Sequence, residues 1–252
     1  MILLPEERYA RICDVVDTKG TVTVLEIKEL LGTSESTIRR DLNVLHDAGK
    51  LIKVHGGATS TQQSPMAFEY DVNTKSQLNI KEKDKIGQYA ASIINNDDFV
   101  FIDAGTTTEH MVDYITNTKA TFVTNGIVHA KKLIQKGLKA YIIGGQLKLS
   151  TEAVVGAEAL DHMKKHNFTK CFLGANGINS DAGFSTPDVE EALIKSEAVK
   201  RSFVTYILSD NSKFGKISSV SFANLDDACI VTYKEPDEEY TKASVVKATE
   251  KL

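Results

Sequence analysis

The residues of this chain that are best placed to do chemistry lie in one short loop, Asp-Ala-Gly-Thr-Thr-Thr, at positions 103–108. The apolar run before the loop predicts a strand and the run after it predicts a helix, so Gly105 is brought to a helix N-terminus. Backbone N–H groups there favour an anion, and a glycine lets a ligand come close. The hydroxyls of Thr106, Thr107 and Thr108 can add hydrogen bonds to phosphate oxygens. The loop therefore indicates a phosphate site.

A second interpretation of the same loop is purely structural. Thr106 and Glu109 fit the T-x-x-E pattern of a capping box, in which the threonine side chain serves only the helix. The loop is not a Walker motif, since no Gly-Lys-Ser/Thr follows, and it is not a GxGxxG fingerprint. Taken alone, its residues leave both interpretations open.

Alternating strands and helices from residue 99 onwards predict a mainly parallel α/β sheet. Ligands of such sheets bind beyond the carboxyl ends of the strands, where this sequence places glycine with Asn, Asp, Thr or Lys. Lys213 alone is typical of a surface lysine, but here it could pair with a phosphate while amides and Asp103 take sugar hydroxyls. The residues predicted to line the site are Asp103, Gly105, Thr106, Thr107, Thr108, Asn125, Gly126, Asn176 and Lys213.

Residues 1–58 carry the signals of three short helices. A proline and two acidic residues open the first helix. Thr23 and Glu26 fit a capping box for the second, and Gly32 can close it. Ser34 is predicted to cap the third. The apolar contacts of the second helix are expected from Leu25, Leu30 and Leu31.

The third helix has one apolar and one polar face. Ile38, Leu42 and Leu45 share one side, the other carries hydroxyls, arginines and an asparagine, and a basic ribbon follows. Such a helix fits the DNA major groove, and positive side chains on a wing raise affinity for the phosphate backbone. A solvated helix face before a hairpin is the plain alternative, but the complete order of elements favours a winged helix-turn-helix. The residues predicted to contact DNA are Ser34, Ser36, Thr37, Arg39, Arg40, Asn43, Lys50, Lys53 and His55.

Composition and charge bound these hypotheses. The 252 residues are 42% hydrophobic and 25% charged, as in soluble globular proteins. Residues 1–58 hold eight Lys/Arg against nine Asp/Glu, so DNA binding must depend on where the positive charges sit. No apolar run approaches the ~20 residues of a membrane span, and Pro5 interrupts the apolar start, so neither a membrane segment nor a signal peptide is expected. The three widely spaced cysteines are typical of free thiols in a reducing cytoplasm.

Neither a metal nor another cofactor is predicted. His162 and His166 are four residues apart, which would place two imidazoles on one helical face. However, no glutamate intervenes as in HExxH, and no third ligand is evident. Two exposed histidines among lysines are the favoured interpretation.

The chain is expected to form two domains. Residues 1–58 make the predicted DNA-binding domain and residues 77–252 the predicted sensor domain. The segment between them, residues 59–76, is polar, contains a proline and shows no sustained periodicity, which is typical of a linker.

The motifs also occur in the order of a known family. "ESTIRRDL", "KVHGGA", "DAGTTT", "VTNG", "IIGG", "GANGI" with "GFSTPD", and "SDNSKFG" follow one another over nearly the whole chain, which resembles the DeoR family of bacterial transcription regulators. The resemblance implies a winged helix-turn-helix joined to a sugar-phosphate sensor similar to ribose-5-phosphate isomerase. It also implies a double-stranded DNA operator, a homo-oligomer, and a phosphosugar effector bound by Asp103, the 106–108 loop, Asn125 and Lys213. Within the family the chain is most similar to repressors of fructose utilisation, so the effector expected by analogy is fructose 1-phosphate.

A working sugar-phosphate isomerase is the rival from another class. Enediol chemistry needs a carboxylate poised as a base, and the related isomerases carry an acid-rich loop, Asp-Gly-Ala-Asp-Glu. Here the comparable strand ends in Gly-Ala-Asn-Gly-Ile-Asn, and amides bind hydroxyls but do not abstract protons. Asp181 and Asp188 lie further on, and Glu190 and Glu191 are expected to be surface charges on a helix. The sequence therefore favours a regulator over an enzyme.

Overall fold

The amino-terminal part of the chain forms three helices and a three-stranded antiparallel sheet in the order β1-β3-β2. The computed structural model describes residues 5–60, 72–116 and 118–252, and divides the chain into unit 1, residues 1–66, and unit 2, residues 67–252. The elements of unit 1 are α1 (Pro5–Lys19), β1 (Thr21–Thr23), α2 (Val24–Leu31), α3 (Glu35–Asp47), β2 (Ile52–Val54) and β3 (Gly57–Thr59). This order confirms the predicted winged helix-turn-helix.

The ends of α2 and α3 are set by the residues that the sequence indicates. Thr23 and Glu26 form a complete capping box at the start of α2. Gly32 ends that helix with φ of 60°, in the left-handed region that glycine adopts without strain. The Ser34 hydroxyl accepts a hydrogen bond from the N–H of Thr37 and caps α3. The turn between the two helices is therefore encoded locally.

The apolar contacts of α2 differ from the expectation. Leu25 and Leu30 are 53% and 56% exposed, whereas Val24 and Ile27 are buried. Of the three predicted leucines, Leu31 packs against the core. The inward positions are three or four residues apart, so Leu25 and Leu30 lie on the other side of the helix. The expectation of apolar contacts is therefore wrong for these two leucines, because the helical spacing, and not the residue type, decides which side chains are buried.

Two positions of the wing require glycine, each for a different steric reason. Gly56 lies in the turn between β2 and β3 with φ of 85°, which a side chain would strain. Gly57 begins β3, and a Cβ atom built there would lie 2.2 Å from the carbonyl oxygen of Val22 in β1. One glycine therefore permits the turn, and the other permits the wing to pack against β1.

Unit 2 is built on a seven-stranded sheet with the order β15-β14-β12-β9-β4-β5-β6, in which every pair is parallel. Its helices are α4 (Val72–Gln77), α5 (Ile80–Ser92), α6 (Thr106–Tyr114), α7 (Ile127–Gln135), α8 (Ala157–Met163), α9 (Val189–Lys200) and α10 (Glu238–Ala243). Its strands are β4 (Phe99–Ile102), β5 (Thr121–Thr124), β6 (Lys139–Ile142), β7 (Gln146–Lys148), β8 (Ala153–Val155), β9 (Phe168–Leu173), β10 (Gly177–Asn179), β11 (Gly183–Thr186), β12 (Ser202–Leu208), β13 (Val220–Ala223), β14 (Cys229–Thr232) and β15 (Val246–Ala248). The predicted parallel α/β fold is confirmed.

The parallel sheet is apolar on both faces because helices cover both. Along β4, Phe101 packs into one cluster and Val100 and Ile102 into the other. Along β9, Leu173 and Phe172 divide in the same way. The carboxyl ends of these strands meet at one edge, where the loops after β4, β5, β9 and β12 lie. A hairpin, β7-β8, and a small sheet, β10-β11-β13, add to this frame.

The segment predicted as a linker, residues 59–76, is structured at both ends. Thr59 is the last residue of β3 and pairs with Thr21. Residues 72–76 belong to α4, and residues 61–71 lie outside the described part of the chain. Over the described ranges, no helix is long and apolar enough to cross a membrane.

Candidate functional site

The polar face of α3 is open to solvent. Of the nine residues predicted to contact DNA, eight are exposed, and Thr37 is half-buried. On the opposite face Ile38, Leu42 and Leu45 are buried in the core of unit 1. The helix therefore presents hydroxyls, guanidinium groups and an amide outward, a set that can read base edges and fix phosphates.

One buried ion pair fixes the orientation of α3. The Asp41 carboxylate, 2% exposed, accepts hydrogen bonds from Arg8 Nε at 2.5 Å and Arg8 Nη2 at 3.0 Å. This two-pronged pairing ties α3 to α1 and holds its polar face in place. Arg8 and Asp41 are 33 residues apart, so no local pattern in the sequence indicates the pair.

The exposed charges of this face make weak internal contacts. Arg39 lies 3.7 Å from Glu35 one turn earlier, with both side chains about half exposed. Lys53 on β2 donates a hydrogen bond of 2.7 Å to Asn43 on α3, which links the wing to the helix. Exposed pairs of this kind contribute little to stability, about 0–1 kcal/mol. These groups are therefore free to exchange their partners for a nucleic acid at little cost.

In unit 2 the loop after β4 is organised by Asp103. One carboxylate oxygen accepts hydrogen bonds from Gly105 N at 3.0 Å and Thr108 Oγ1 at 2.8 Å. The other accepts from Gly174 N at 2.8 Å and forms an ion pair with Lys195 of α9. Lys195 also donates to the carbonyl of Gly174 at 2.9 Å. Asp103 thus joins the ends of β4 and β9 to two helices.

The charge of Asp103 is stabilised where it stands. Burial alone would raise the pKa of this carboxyl. The positive charge and hydrogen bond of Lys195, together with hydrogen bonds from Gly174 and Thr108, instead hold the pKa below its ordinary value. Each oxygen already has two donors, close to the capacity of a carboxylate. The structure therefore shows Asp103 as an organiser of the loop, and its predicted contact with sugar hydroxyls stays a prediction.

His129 of α7 joins the same network. Its Nε2 atom lies 3.1 Å from both the carbonyl of Gly105 and Thr108 Oγ1. The carbonyl can only accept, so Nε2 carries the proton and donates to it. Burial lowers the pKa of His129, although Asp103 opposes the change, so the ring is neutral near pH 7. Gly126 packs against this ring, since a Cβ atom built there would lie 2.4 Å from His129 Nδ1.

The first turn of α6 carries no side-chain cap. Its N-cap is Gly105, and Thr106 is the first helical residue. Glu109 does not turn back to the helix start, because its carboxylate pairs with Lys132 at 2.8 Å. The capping-box interpretation of the loop is therefore wrong. Thr106 and Thr107 are buried beside the uncapped turn, so its backbone N–H groups stand among hydroxyls.

Asn125, at the end of β5, has an unused acceptor. The residue is 4% exposed, and its Nδ2 atom donates to the carbonyl of Val154 at 3.3 Å. Within the described ranges its Oδ1 atom has no hydrogen-bond partner. Buried polar atoms are almost always paired, so this oxygen is suited to a hydroxyl donor from a ligand.

Besides Lys195, two lysines bring positive charge to this edge. Lys213 ends the 3₁₀ turn Asn211–Lys213, which Asp210 caps by accepting from Ser212 N at 2.9 Å. Lys83 of α5 is 3% exposed, and the charges of Asp210 and Lys213 both act on its ammonium group. Burial lowers the pKa of Lys83 to about 8, Asp210 opposes this effect, and Lys213 adds to it.

Lys83 and Lys195 were not found by sequence analysis. A signal for Lys83 was present, because it falls on the same helical face as Ile86 and Ala90, which are buried. A lysine at a buried helical position indicates a paired or functional charge. Lys195 lies on α9, whose apolar residues do not gather on one face in the sequence, so no comparable signal exists for it.

The remaining polar groups near this edge are structurally occupied. Asn176 accepts a hydrogen bond from Thr186 Oγ1 at 3.2 Å, and Asp188 caps α9 by accepting from Glu191 N at 2.9 Å. Glu191 is buried and accepts from Thr151 Oγ1 at 2.6 Å and Lys148 Nζ at 2.9 Å, so the expectation of a surface charge is wrong for it. None of these groups is placed as a free base.

The two histidines considered as metal ligands make different contacts. His162 is exposed on α8 and accepts a hydrogen bond from Gly144 N at 3.1 Å. His166 follows the end of that helix, and its ring packs against Phe99. Throughout residues 5–60, 72–116 and 118–252, no three His, Cys, Asp or Glu side chains come together as a metal site.

Two family models match the chain, one in each unit. Residues 8–64 match the DeoR-like helix-turn-helix domain. Residues 78–234 match the DeoR C terminal sensor domain.

Relatives match over nearly the full chain. An uncharacterized HTH-type transcriptional regulator, FruR, of Bacillus subtilis (strain 168) is 42% identical over 97% of this chain and 98% of the relative. The HTH-type transcriptional regulator IolR of the same strain is 35% identical over 93% and 94%. The lactose phosphotransferase system repressor of Staphylococcus aureus (strain N315) is 35% identical over 92% and 93%. Among solved structures, ribose 5-phosphate isomerase A from Methanocaldococcus jannaschii is similar, with 10% identity, a TM-score of 0.41 and coverage of 54% of this chain and 55% of that chain.

Proposed function

The chain belongs to the DeoR family of transcriptional regulators, and from that premise we propose that it represses a fructose-utilisation operon and is released from its operator by fructose 1-phosphate. Its relatives are regulators and repressors, so the chain is a regulator and not an enzyme. Unit 1 binds the operator, and unit 2 binds the effector.

The observation that supports DNA binding is the open polar face of α3. Arg39 and Arg40 project from this face into solvent, beside Lys53 on the wing. Arginine on a groove-bound helix pairs with two acceptors of guanine, and lysine on a wing neutralises phosphate. Because the charge of residues 1–58 is −1, a single unit has little general attraction for DNA. Two or more units in a homo-oligomer, bound to repeated half-sites, supply the affinity that one lacks.

The observation that carries the effector proposal is the uncapped first turn of α6. Its N–H groups, the Thr106 and Thr107 hydroxyls and the cations of Lys213 and Lys83 suit a phosphate group. The free Oδ1 atom of Asn125 suits a sugar hydroxyl at the neighbouring strand end. Asp103 keeps the loop in the conformation that presents these groups.

The identity of the sugar rests on the relatives. The name of the FruR relative and the lactose phosphotransferase system repressor among the other relatives favour a phosphorylated sugar as the effector. A phosphate monoester carries about −1.5 to −2 charges near pH 7, so it should dominate binding, and unphosphorylated fructose should bind far more weakly.

The test is an operator release assay with the full chain. A DNA duplex selected from a random library by the wild-type protein is used in a mobility shift at fixed salt, with fructose 1-phosphate, fructose 6-phosphate, galactose 6-phosphate and fructose. We expect release by fructose 1-phosphate at the lowest concentration and none by fructose. Equal release by fructose and its phosphate would contradict the proposal.

Two variants locate the effector. Lys213→Ala and Thr107→Val should bind the operator like wild type and no longer release it, because each removes a partner of the phosphate. Losing one hydrogen bond to a charged group costs about 1.5–3 kcal/mol, roughly a 10- to 150-fold loss of effector affinity. Lys136→Ala, at the far end of α7, is the control and should respond normally. Normal release in both site variants would remove the effector from this edge of the sheet.

A further inference from the structure

Two hydrogen bonds to its backbone are among the contacts that hold helix α4 to the rest of unit 2. At its start, Val72 N donates to the carbonyl of Ser150 at 3.2 Å. Near its end, the carbonyl of Lys75 accepts a hydrogen bond from Lys83 Nζ. An isolated helix of six residues is not stable in water, so α4 depends on contacts of this kind.

Both bonds lead back to the edge of the sheet where the effector is placed. Ser150 lies at the tip of the β7-β8 hairpin, and β8 is bonded to Asn125 through Val154 N, 2.7 Å from the Asn125 carbonyl. Lys83 is the buried cation on which Asp210 and Lys213 act. These two hydrogen bonds of α4 therefore connect it to the groups that are proposed to bind the sugar and the phosphate.

The three N–H donors of Lys83 share one nitrogen, so the position of that nitrogen decides which acceptors the side chain can reach. In the structure it donates to a neutral carbonyl, that of Lys75, inside a buried site. A phosphate dianion attracts an ammonium group more strongly than a neutral carbonyl does, because two opposite charges interact in place of a charge and a dipole. A phosphate bound at α6 therefore competes directly with the carbonyl of α4.

We propose that α4 is the coupling element of the regulator: a bound phosphosugar draws the Lys83 ammonium away from the Lys75 carbonyl and so releases α4. In the sequence, residues 61–71 join this helix to unit 1. The inference rests on the proposed function, because it assigns the ligand to the same site. The docked helix belongs to the operator-binding state and the released helix to the effector-bound state.

This exchange has a reciprocal consequence that a purely structural role lacks. Anything that weakens the docking of α4 must tighten effector binding and weaken operator binding, because both ligands act on one equilibrium. A substitution that merely damages the fold would weaken effector binding and operator binding together, whereas this mechanism predicts tighter effector binding and weaker operator binding.

The first test removes one tie at a distance from the phosphate. Val72→Pro deletes the N–H that bonds Ser150, and proline is compatible with the first position of a helix. Val72→Ala keeps the N–H and is the matched control. We expect Val72→Pro, but not Val72→Ala, to bind fructose 1-phosphate more tightly, by roughly two- to tenfold, the fold-change of one backbone hydrogen bond. It should also bind the selected operator more weakly without ligand. Equal effector affinity in the two variants overturns the inference.

The second test follows the helix directly by amide hydrogen exchange of the full chain. With fructose 1-phosphate bound, exchange should slow in residues 103–108 and speed up in residues 72–77. Lys83→Met should speed exchange in residues 72–77 without ligand, whereas Lys81→Met, an exposed position of the same helix, should not. If fructose 1-phosphate gives no thermal shift, the sugar phosphate with the largest shift replaces it.

The outcomes separate this inference from the proposed function. If the ligand protects residues 103–108 and releases the operator while exchange in residues 72–77 is unchanged or slower, the coupling inference is wrong and the proposed function stands. If no sugar phosphate protects residues 103–108, the proposed function fails and the inference falls with it.

Discussion

The two units hold their functional groups in opposite ways. In unit 1, Arg39, Arg40 and Lys53 project from a helix face and a wing into solvent, and the core beneath them does not need their charges. In unit 2, Asp103 and Lys195 are buried and bonded to one another and to the backbone. The functional groups of unit 1 are not needed for its fold, whereas the buried polar groups of unit 2 stabilise its fold.

This difference teaches how each half responds to change. Exposed groups bind a large, charged partner that supplies its own partners, so they can stay solvated until it arrives. A small ligand must be enclosed, so the groups around it are desolvated in advance and must be paired. We therefore expect substitutions in unit 1 to alter binding alone, and substitutions in the unit 2 network to alter stability first.

The largest effect is expected from Asp103→Asn. The change removes the negative charge that compensates Lys195 in a buried site, and breaking such a pair costs about 3–5 kcal/mol. Urea unfolding of the full chain should show the loss. The control is Glu238→Gln, which breaks a pair of 2.6 Å between exposed side chains and should change stability by less than about 1 kcal/mol. Equal losses from both substitutions would erase the contrast between buried and exposed groups.

Arg39→Ala and Arg40→Ala test the exposed half of the comparison. Each should weaken binding to the selected operator by about 1–3 kcal/mol if the guanidinium pairs with a base, and should leave the melting temperature unchanged. Mobility shift at fixed salt measures the first quantity, and calorimetry the second. Wild-type affinity in both variants would take these residues out of the interface.

The pH dependence of effector binding tests the buried lysine. Lys83 has a pKa of about 8, and a bound phosphate would raise it, so affinity should be full below pH 8 and fall above it. The loss should be roughly tenfold between pH 7 and pH 9. The phosphate, with a second pKa near 6, stays a dianion in this range. The charged groups facing Lys83 are Asp210, Lys213, Lys75 and Glu109.

The sign separates this effect from unfolding. In the unfolded chain Lys83 regains the ordinary lysine pKa, so the unfolded state binds more protons between about pH 8 and pH 10.5, and the ligand-free fold gains stability there. Titration calorimetry should therefore show weaker binding to a protein that is no less stable. A profile as steep in Lys83→Met as in wild type would assign the pH dependence to another group.

The smallest effect is expected from Lys53→Ala. A lysine on the wing that contacts phosphate adds affinity for any sequence, so its loss should weaken all duplexes alike and reduce the slope of log affinity against log salt by about 1. Binding to the selected operator and to a scrambled duplex, measured at several salt concentrations, gives both numbers. A loss confined to the selected operator would show that Lys53 reads bases.

Several features whose partners are close in the chain could be predicted from the sequence. The Thr23–Glu26 capping box, the Gly32 end of α2 and the Ser34 cap each involve residues within a few positions, so the turn before α3 could be predicted. The alternation of strands and helices likewise predicted a parallel sheet with its loops at one edge. Spacing settled these features because each is repeated or local.

The candidate site was harder to predict from the sequence, because the residues that contact one another there are far apart in the chain. Lys195 lies 92 residues from Asp103, and no periodicity announces that they meet. The capping box at Thr106 was a local pattern that failed, since Lys132 on another helix takes the Glu109 carboxylate. The structural role of Asp103 could not be predicted either, because two of its donors come from α9 and the end of β9. Residue types indicated the chemistry, but only the tertiary structure decides which groups are already occupied.

The strand order of the large sheet has a consequence for a chain that is still being made. Unit 1 pairs Thr21 with Thr59, so all of its strands exist once residue 60 has been added. The central strand β4 must wait for β9, and β9 for β12, which ends at Leu208. At about 5–20 residues per second, roughly 7–30 s of synthesis separate the two events. During each round of translation, the half that is equipped to read DNA is therefore complete before the half that is equipped to sense sugar exists.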